Sequence, residues 1–315
     1  MKKTEWNCSF EPDSCNGREV PIGKEFQWNG CTFLVPAVYV CEEGLIVDFC
    51  IQTDREQYRV FLEKWRDLFE QEKSGGRIPA KEIARFEAEN PLDRMFETSV
   101  RVNGKPLRYK GGNGMQWIPK DLIPIMCDEI DIKPFMVHYG LSENQVWQFR
   151  RDLYFWDEEG VPEWKTLELT LSQRPKMHPS TEFAMPEVGE CVSIRNPVDG
   201  GTHILTVTEV RQEQIRHFIQ EDLLFPERCQ VMGYILEPEL PKEVFFLADT
   251  AEPDQPKRVG SKSVIGAAIG VIVSNREKPE GRYASSSMHF EPAKDVIWQA
   301  QFRAKTVPDL TITLI

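Results

Sequence analysis

The side chains that could ligate a metal, carry a proton or attack a substrate are few in kind and poorly clustered. The five histidines are His138, His178, His203, His217 and His289. No two of them stand at i,i+2 or i,i+4, the spacings that place a pair of imidazoles on one face of a strand or helix. The eight cysteines are Cys8, Cys15, Cys31, Cys41, Cys50, Cys127, Cys191 and Cys229. None forms Cys-x-x-Cys, so zinc-ligand spacing is missing. Cys31, Cys41, Cys50 and Cys191 lie in apolar, strand-like runs, where a thiol serves as a small buried hydrophobe. The alternative is a disulfide such as Cys8–Cys15, which needs an oxidising compartment.

Two acidic runs, Asp128–Asp131 and Asp157–Glu159, could in principle hold calcium or supply the carboxylate pair of a glycoside hydrolase. Neither has the alternating acidic spacing that wraps oxygens around calcium, and both read as solvated charge. The glycine runs Gly111–Gly114 and Gly266–Gly270 match neither a dinucleotide fingerprint nor a P-loop. There is no Gly-x-Ser-x-Gly elbow for a hydrolase serine. The expectation is no catalytic residue, no metal and no cofactor. Of the eight tryptophans, Trp147 and Trp298 fall on apolar strand faces and read as core. Trp156 and Trp164 flank a loop and read as an exposed pair. They are the candidate ligand-binding residues, since aromatic platforms hold sugars and peptides.

Most of the 315 residues form elements that would have to position any site, and most read as strands. Apolar and polar residues alternate with a period of two over long stretches. Val296, Trp298, Ala300 and Phe302 share one face, and Leu310, Ile312 and Leu314 share another after a turn at Val307–Asp309. The two segments are expected to pair as a hairpin. A similar pair occurs earlier, in Val146–Arg150 and Leu167–Leu171. The openings Pro21–Val35 and Pro186–Val207 also match as strand, tight turn, strand. The repetition predicts a mainly β chain of two tandem antiparallel β-sandwich, immunoglobulin-like domains, 1–174 and 181–315. The proline-rich stretch 174–180 is the expected linker.

A helical insertion near 54–90 interrupts the first domain. Tyr58, Phe61, Leu62, Trp65, Leu68 and Phe69 recur every three or four residues along Asp54–Lys73, a broad apolar stripe expected to lie on the domain's own sheet. Thr53 or Asp54 caps the start and Ser74–Gly76 the end. A second helix runs from Pro79 to before Asn90-Pro91, and Asn103-Gly104 reads as a hairpin turn. His138-Tyr139 reads as a strand edge.

Net charge is −12, which argues against nucleic acid and anionic membrane surfaces as partners, since both reward clustered lysine and arginine. The apolar run Val264–Val273 falls well short of the ~20 residues of a membrane helix. The opening Met1–Cys15 lacks an apolar stretch of signal-peptide kind, so a cytoplasmic location is expected. These features predict a binding or protein-interaction module without catalytic machinery, taking a protein, a peptide or a small carbohydrate. The alternative is a carbohydrate-active or other hydrolytic enzyme whose acidic residues converge only in the fold.

Overall fold

The computed structural model describes residues 10, 17–74, 78, 80–92, 96–122, 132–156, 161–184, 186–215, 223–258, 282–293 and 295–315. The acidic runs, Gly266–Gly270 with the apolar run around it, Cys8, Cys15, Cys127, His217, Gly75–Gly76 and Pro79 lie outside the described residues. The chain is mainly antiparallel β and divides into two compact units. Unit 1 comprises residues 1–78, 82–174 and 307–315, and unit 2 comprises 79–81 and 175–306. No helix among the described residues is long and apolar enough to cross a membrane.

Unit 1 opens with a three-strand meander, β1 (Arg18–Trp28), β2 (Cys31–Val40) and β3 (Gly44–Thr53). Asn29 and Gly30 turn the first hairpin with φ of 50° and 70°, the left-handed pair a two-residue turn demands. Helices α1 (Arg55–Lys64), α2 (Arg66–Lys73) and α3 (Ala80–Glu89) follow. Asp54 caps α1, its Oδ1 accepting from the Gln57 N–H at 2.7 Å. Tyr58, Phe61 and Trp65 are buried with Leu92, Ile118 and Val146, so the aromatic stripe packs within its own unit. Next come β4 (Phe96–Val102), β5 (Lys105–Pro106), β6 (Arg108–Trp117), α4 (Lys133–His138), β7 (Val146–Phe155) and β8 (Leu167–Gln173). Asn103 and Gly104 turn β4 into β5 with φ of 51° and 78°. His138 ends α4 rather than edging a strand, because Pro134 in the first turn suits a helix start.

Unit 2 holds β9 (Lys176–Ala184), β10 (Cys191–Arg195), β11 (Thr202–Gln214), β12 (Leu223–Leu224), β13 (Arg228–Glu237), β14 (Phe245–Asp249), β15 (Lys257–Arg258), β16 (Arg282–Ser285) and β17 (Ile297–Ala304). The chain then returns to unit 1 as β18 (Leu310–Thr313).

Each unit is two sheets face to face. In unit 1 a five-stranded sheet, β1-β2-β3-β7-β6, faces a four-stranded one, β18-β8-β4-β5. Phe33, Val47 and Phe49 from the first meet Phe96, Val100 and Leu169 from the second. In unit 2, β10-β11-β13-β16 faces β14-β17-β9, while β12 and β15 pair apart. Leu205 and Tyr234 of the first sheet close there on Phe245, Trp298 and Phe302 of the second, with Trp298 and Phe302 both 0% exposed.

Four expectations are corrected. Leu310–Thr313 does not pair with the Trp298 strand; it joins β8, Leu310 opposite Leu171 and Ile312 opposite Leu169. The two matching leucine patterns are therefore neighbours on one core, not counterparts in two copies. Likewise the Trp147 strand sits in the sheet of the opening hairpin, whereas the Trp298 strand sits in the sheet opposite its own opening hairpin. Residues 176–180, expected as linker, belong to β9 and pair with β17. Pro179 is accommodated because β9 is an edge strand and the register shifts between Gln299 and Gln301, the places where a missing N–H costs least. Finally, Cys191 is exposed, on an edge strand, while Cys31, Cys41 and Cys50 are buried.

Candidate functional site

Strand β7 carries its largest apolar side chains on the outer face of its sheet. Trp147 and Phe149 pack there with Phe135 and Met136 of α4 and with Phe10. Alternation then turns Gln148, Arg150, Asp152 and Tyr154 toward the opposite sheet. A strand that presents a polar row to the interior of a sandwich leaves that part of the interior unfilled by hydrocarbon. The neighbour β6 widens the gap. Gly112 lies opposite Asp152 and Gly114 opposite Arg150. A Cβ on Gly112 would come within 2.3 Å of Asp152 Oδ1 and 2.9 Å of the Tyr109 hydroxyl, so glycine is required by close approach. A Cβ on Gly114 would meet only the Phe149 carbonyl, at 3.5 Å, an ordinary contact. The result is a recess of about 580 Å³ walled by Phe96, Tyr109, Gln116, Gln148, Arg150 and Arg174.

The polar wall is held in place from below. Arg150 Nε donates to Asp152 Oδ1 at 2.7 Å, and Nη1 donates to the Phe96 carbonyl at 2.6 Å. Its guanidinium lies 4.5 Å from the centre of the Phe96 ring. Thr98 Oγ1 donates to Asp152 Oδ2 at 2.6 Å and accepts from the Tyr154 hydroxyl at 2.5 Å. Burial opposes the charge on Arg150, but the attraction and hydrogen bond of Asp152 outweigh it, and its pKa is raised. Burial, reinforced by the Asp152 charge, also raises Tyr154 and Tyr109. Both phenols stay protonated at neutral pH. The Gln148 amide donates from Nε2 to the Leu92 carbonyl, and its Oε1 is buried with no hydrogen-bond partner among the described residues. A buried acceptor left unmet is costly, and at the wall of a recess it suits a donor brought by a ligand or water. Arg174 is half-exposed and pairs loosely with Glu97 at 3.3 Å.

A second polar cluster occupies the outer face of the same sheet. Asp48 and Arg151 stand directly opposite across β3 and β7. Arg151 forks onto the carboxylate at 2.7 and 2.8 Å. Tyr139 donates to Asp48 at 2.8 Å and meets the Tyr39 hydroxyl at 2.6 Å. The rings of Phe10, Tyr39 and Phe135 surround the guanidinium at 5.3, 5.5 and 5.8 Å. Asp48 is 0% and Arg151 4% exposed, so the cluster is closed to a ligand and its role is to fasten α4 to the sheet.

Burial pushes Tyr39, Tyr58 and Tyr234 up to about 12, and raises Tyr139 and Tyr154 further. An unfolded tyrosine ionises near pH ~10. Below that value both states hold the proton and the folded state keeps its full stability. Above it the unfolded chain sheds protons that the fold retains, so stability falls as pH rises from about 10 to about 12. Urea melts at pH 8, 10 and 11.5 are expected to show midpoints falling slightly between pH 8 and 10 and much more steeply between 10 and 11.5. A flat profile would mean that these phenols ionise freely in the fold.

Trp156 and Trp164 come together, ring centres 6.4 Å apart, but not as an exposed platform. Trp156 is only 9% exposed, and its indole N–H donates to the Cys41 carbonyl at 3.0 Å. Its accessible edge walls a smaller recess of about 240 Å³ with Val102, Leu107 and Pro162. Trp164 is half-buried against the sandwich core. The loop reading placed them outward; the apolar area of two indoles drew them onto the core instead. Among the described residues no three histidine, cysteine or acidic side chains converge as a metal site. His203 is buried against the Pro238 carbonyl at 2.8 Å, and His138 meets Glu19 at 3.0 Å.

Sequence reasoning passed over the Arg150–Asp152 wall and the Gly112–Gly114 gap. Charged residues two apart in a strand flanked by apolar ones were the available signal, because a charge in such a run must find a partner. No known family model, curated protein or solved structure matches this chain.

Proposed function

We propose that this protein is a non-catalytic binding module, with the recess of unit 1 as its ligand site. The scaffold we read is a tandem of sandwiches, immunoglobulin-like in their two-layer antiparallel build, although β1, β2 and β3 stay within one sheet. The observation that carries the reading is the glycine-opened recess over Arg150. It offers cationic Arg150 and Arg174, the amides of Gln116 and Gln148, and the ring of Tyr109, a set suited to a polar ligand bearing a carboxylate. In a chain of net charge −12, a recess walled by two guanidinium groups stands out. A glycoside hydrolase needs two carboxylates roughly 5–10 Å apart at the reacting bond. Among the described residues no carboxylate lines this recess; Asp152, 0% exposed opposite Gly112, is held by Arg150 and Thr98.

Gly114→Leu is the direct test, because a Cβ at Gly114 makes only an ordinary contact with the Phe149 carbonyl and the rest of the leucine side chain is expected to extend into the recess that Gly114 lines. In amide NMR spectra, glucuronate or an acidic peptide is expected to shift Gly112–Gln116 and Arg174 in the natural protein and not in Gly114→Leu. Shifts that persist unchanged in the filled variant would sink the assignment.

A further inference from the structure

Strand β6 is the end strand of its sheet, and no strand among the described residues pairs with its other side. Most of its residues are exposed, and Gly111, Met115 and Trp117 are half-buried. The carbonyls of Arg151 and Phe149 come closest to β6 beside Gly112 and Gly114, which places the ladder bonds at Asn113 and Met115. Alternation then points the N–H and C=O groups of Gly112, Gly114 and Gln116 away from β7. The Gly114 N–H accordingly donates to the side-chain oxygen of Asn113, at 2.9 Å. That contact is a local cover for an edge donor that has no strand to pair with. The residues whose backbone faces outward are also those whose side chains face the recess, and two of the three are glycine.

From this coincidence, and resting on the binding-module reading above, we propose that the ligand is an extended acidic peptide that adds antiparallel to β6 as a sixth strand. A residue of the added strand opposite Gly114 would exchange both backbone hydrogen bonds with it and direct its side chain to the recess face. With no side chain at Gly114, a glutamate there reaches across the glycine toward Arg150 of β7, about two strand spacings or roughly 10 Å away from backbone to backbone, and Arg174 lines the same recess. Arg108 and Lys110 at the start of β6 add positive charge along the same edge. The complementarity favours an acidic segment and disfavours a basic one. The Asn113 amide must swing off the Gly114 N–H when the strand arrives.

The test uses the full chain and a capped seven-residue peptide that alternates valine and glutamate, titrated by calorimetry. The glutamate peptide is expected to bind, and a lysine version to bind at least about tenfold more weakly. N-methylation of the glutamates removes the N–H groups that face β6 and is expected to weaken binding by about tenfold or more, whereas N-methylation of the valines leaves it largely intact. Asn113→Ala, which removes the competing cover, is expected to bind the peptide as well as or better than the natural chain.

Equal losses from the two N-methylated peptides, or none from either, would overturn strand addition while leaving the recess reading intact. Failure of the peptide to bind, with glucuronate binding that Gly114→Leu abolishes, would also overturn strand addition alone. Gly114→Leu without effect on any acid would overturn the recess reading itself. A dimer in sedimentation that the glutamate peptide fails to dissociate would give the edge to a second copy of the chain and overturn the peptide proposal.

Discussion

Asp48→Ala is expected to destabilise unit 1 by about 3–5 kcal/mol, the usual cost of removing one partner from a buried ion pair. The loss is not the worth of the Asp48–Arg151 attraction. It is the penalty of leaving the Arg151 guanidinium, 4% exposed, among three aromatic rings with its carboxylate gone. Tyr139 would also lose the acceptor that anchors its hydroxyl at 2.8 Å. The pair sits between adjacent central strands, β3 and β7, so the damage reaches the middle of the sheet. Replacing both partners by apolar residues of similar volume, Asp48→Leu with Arg151→Met, is expected to recover a substantial part of the loss, because neither charge is then desolvated. Urea melts of the single and double variants separate the two effects. A single-variant loss below about 1 kcal/mol would place the pair in contact with water, where exposed ion pairs contribute that little.

Trp298→Ala carries the second large effect, about 3–5 kcal/mol, the range for truncating a fully buried large aromatic. Trp298 is 0% exposed and shares its face with Val296, Ala300 and Phe302, all inside the sandwich of unit 2. The strands on either side, β14 and β9, hold its backbone in place, so collapse around the lost indole is restricted and most of the cavity persists. The readout is the urea transition followed through amide signals of β17 and β11. The loss is expected in unit 2, and an effect under about 1 kcal/mol would require a rearranged core.

Local pattern determined a good deal. Period-two alternation marked the strands and the inward face of β17. The three- and four-residue spacing of Tyr58, Phe61 and Trp65 marked α1, and Asp54 its cap. Asn29-Gly30 and Asn103-Gly104 marked two hairpin turns. Each of these rests on interactions within a few residues of the chain, which a sequence states directly.

Strand partnership was not legible in the same way. Leu310–Leu314 announces one buried face, and that face fits β8 as well as β17; choosing between them depends on contacts across more than a hundred residues. Pro179 announces a break, and only the position of β9 at a sheet edge turns it into part of a strand. The recess shows the same limit most sharply. Trp147 and Phe149 identify the apolar face of β7, but α4 covers that face from outside, and Arg150 and Asp152 thereby become the interior row. Gly112 and Gly114 gain meaning only when β6 is laid beside that row. Side-chain periodicity tells a strand's two faces apart, while the layer that each face meets is set by long-range packing. That is why the sequence by itself determined the strands and helices of this protein, and only the tertiary structure decided which polar residues line the recess.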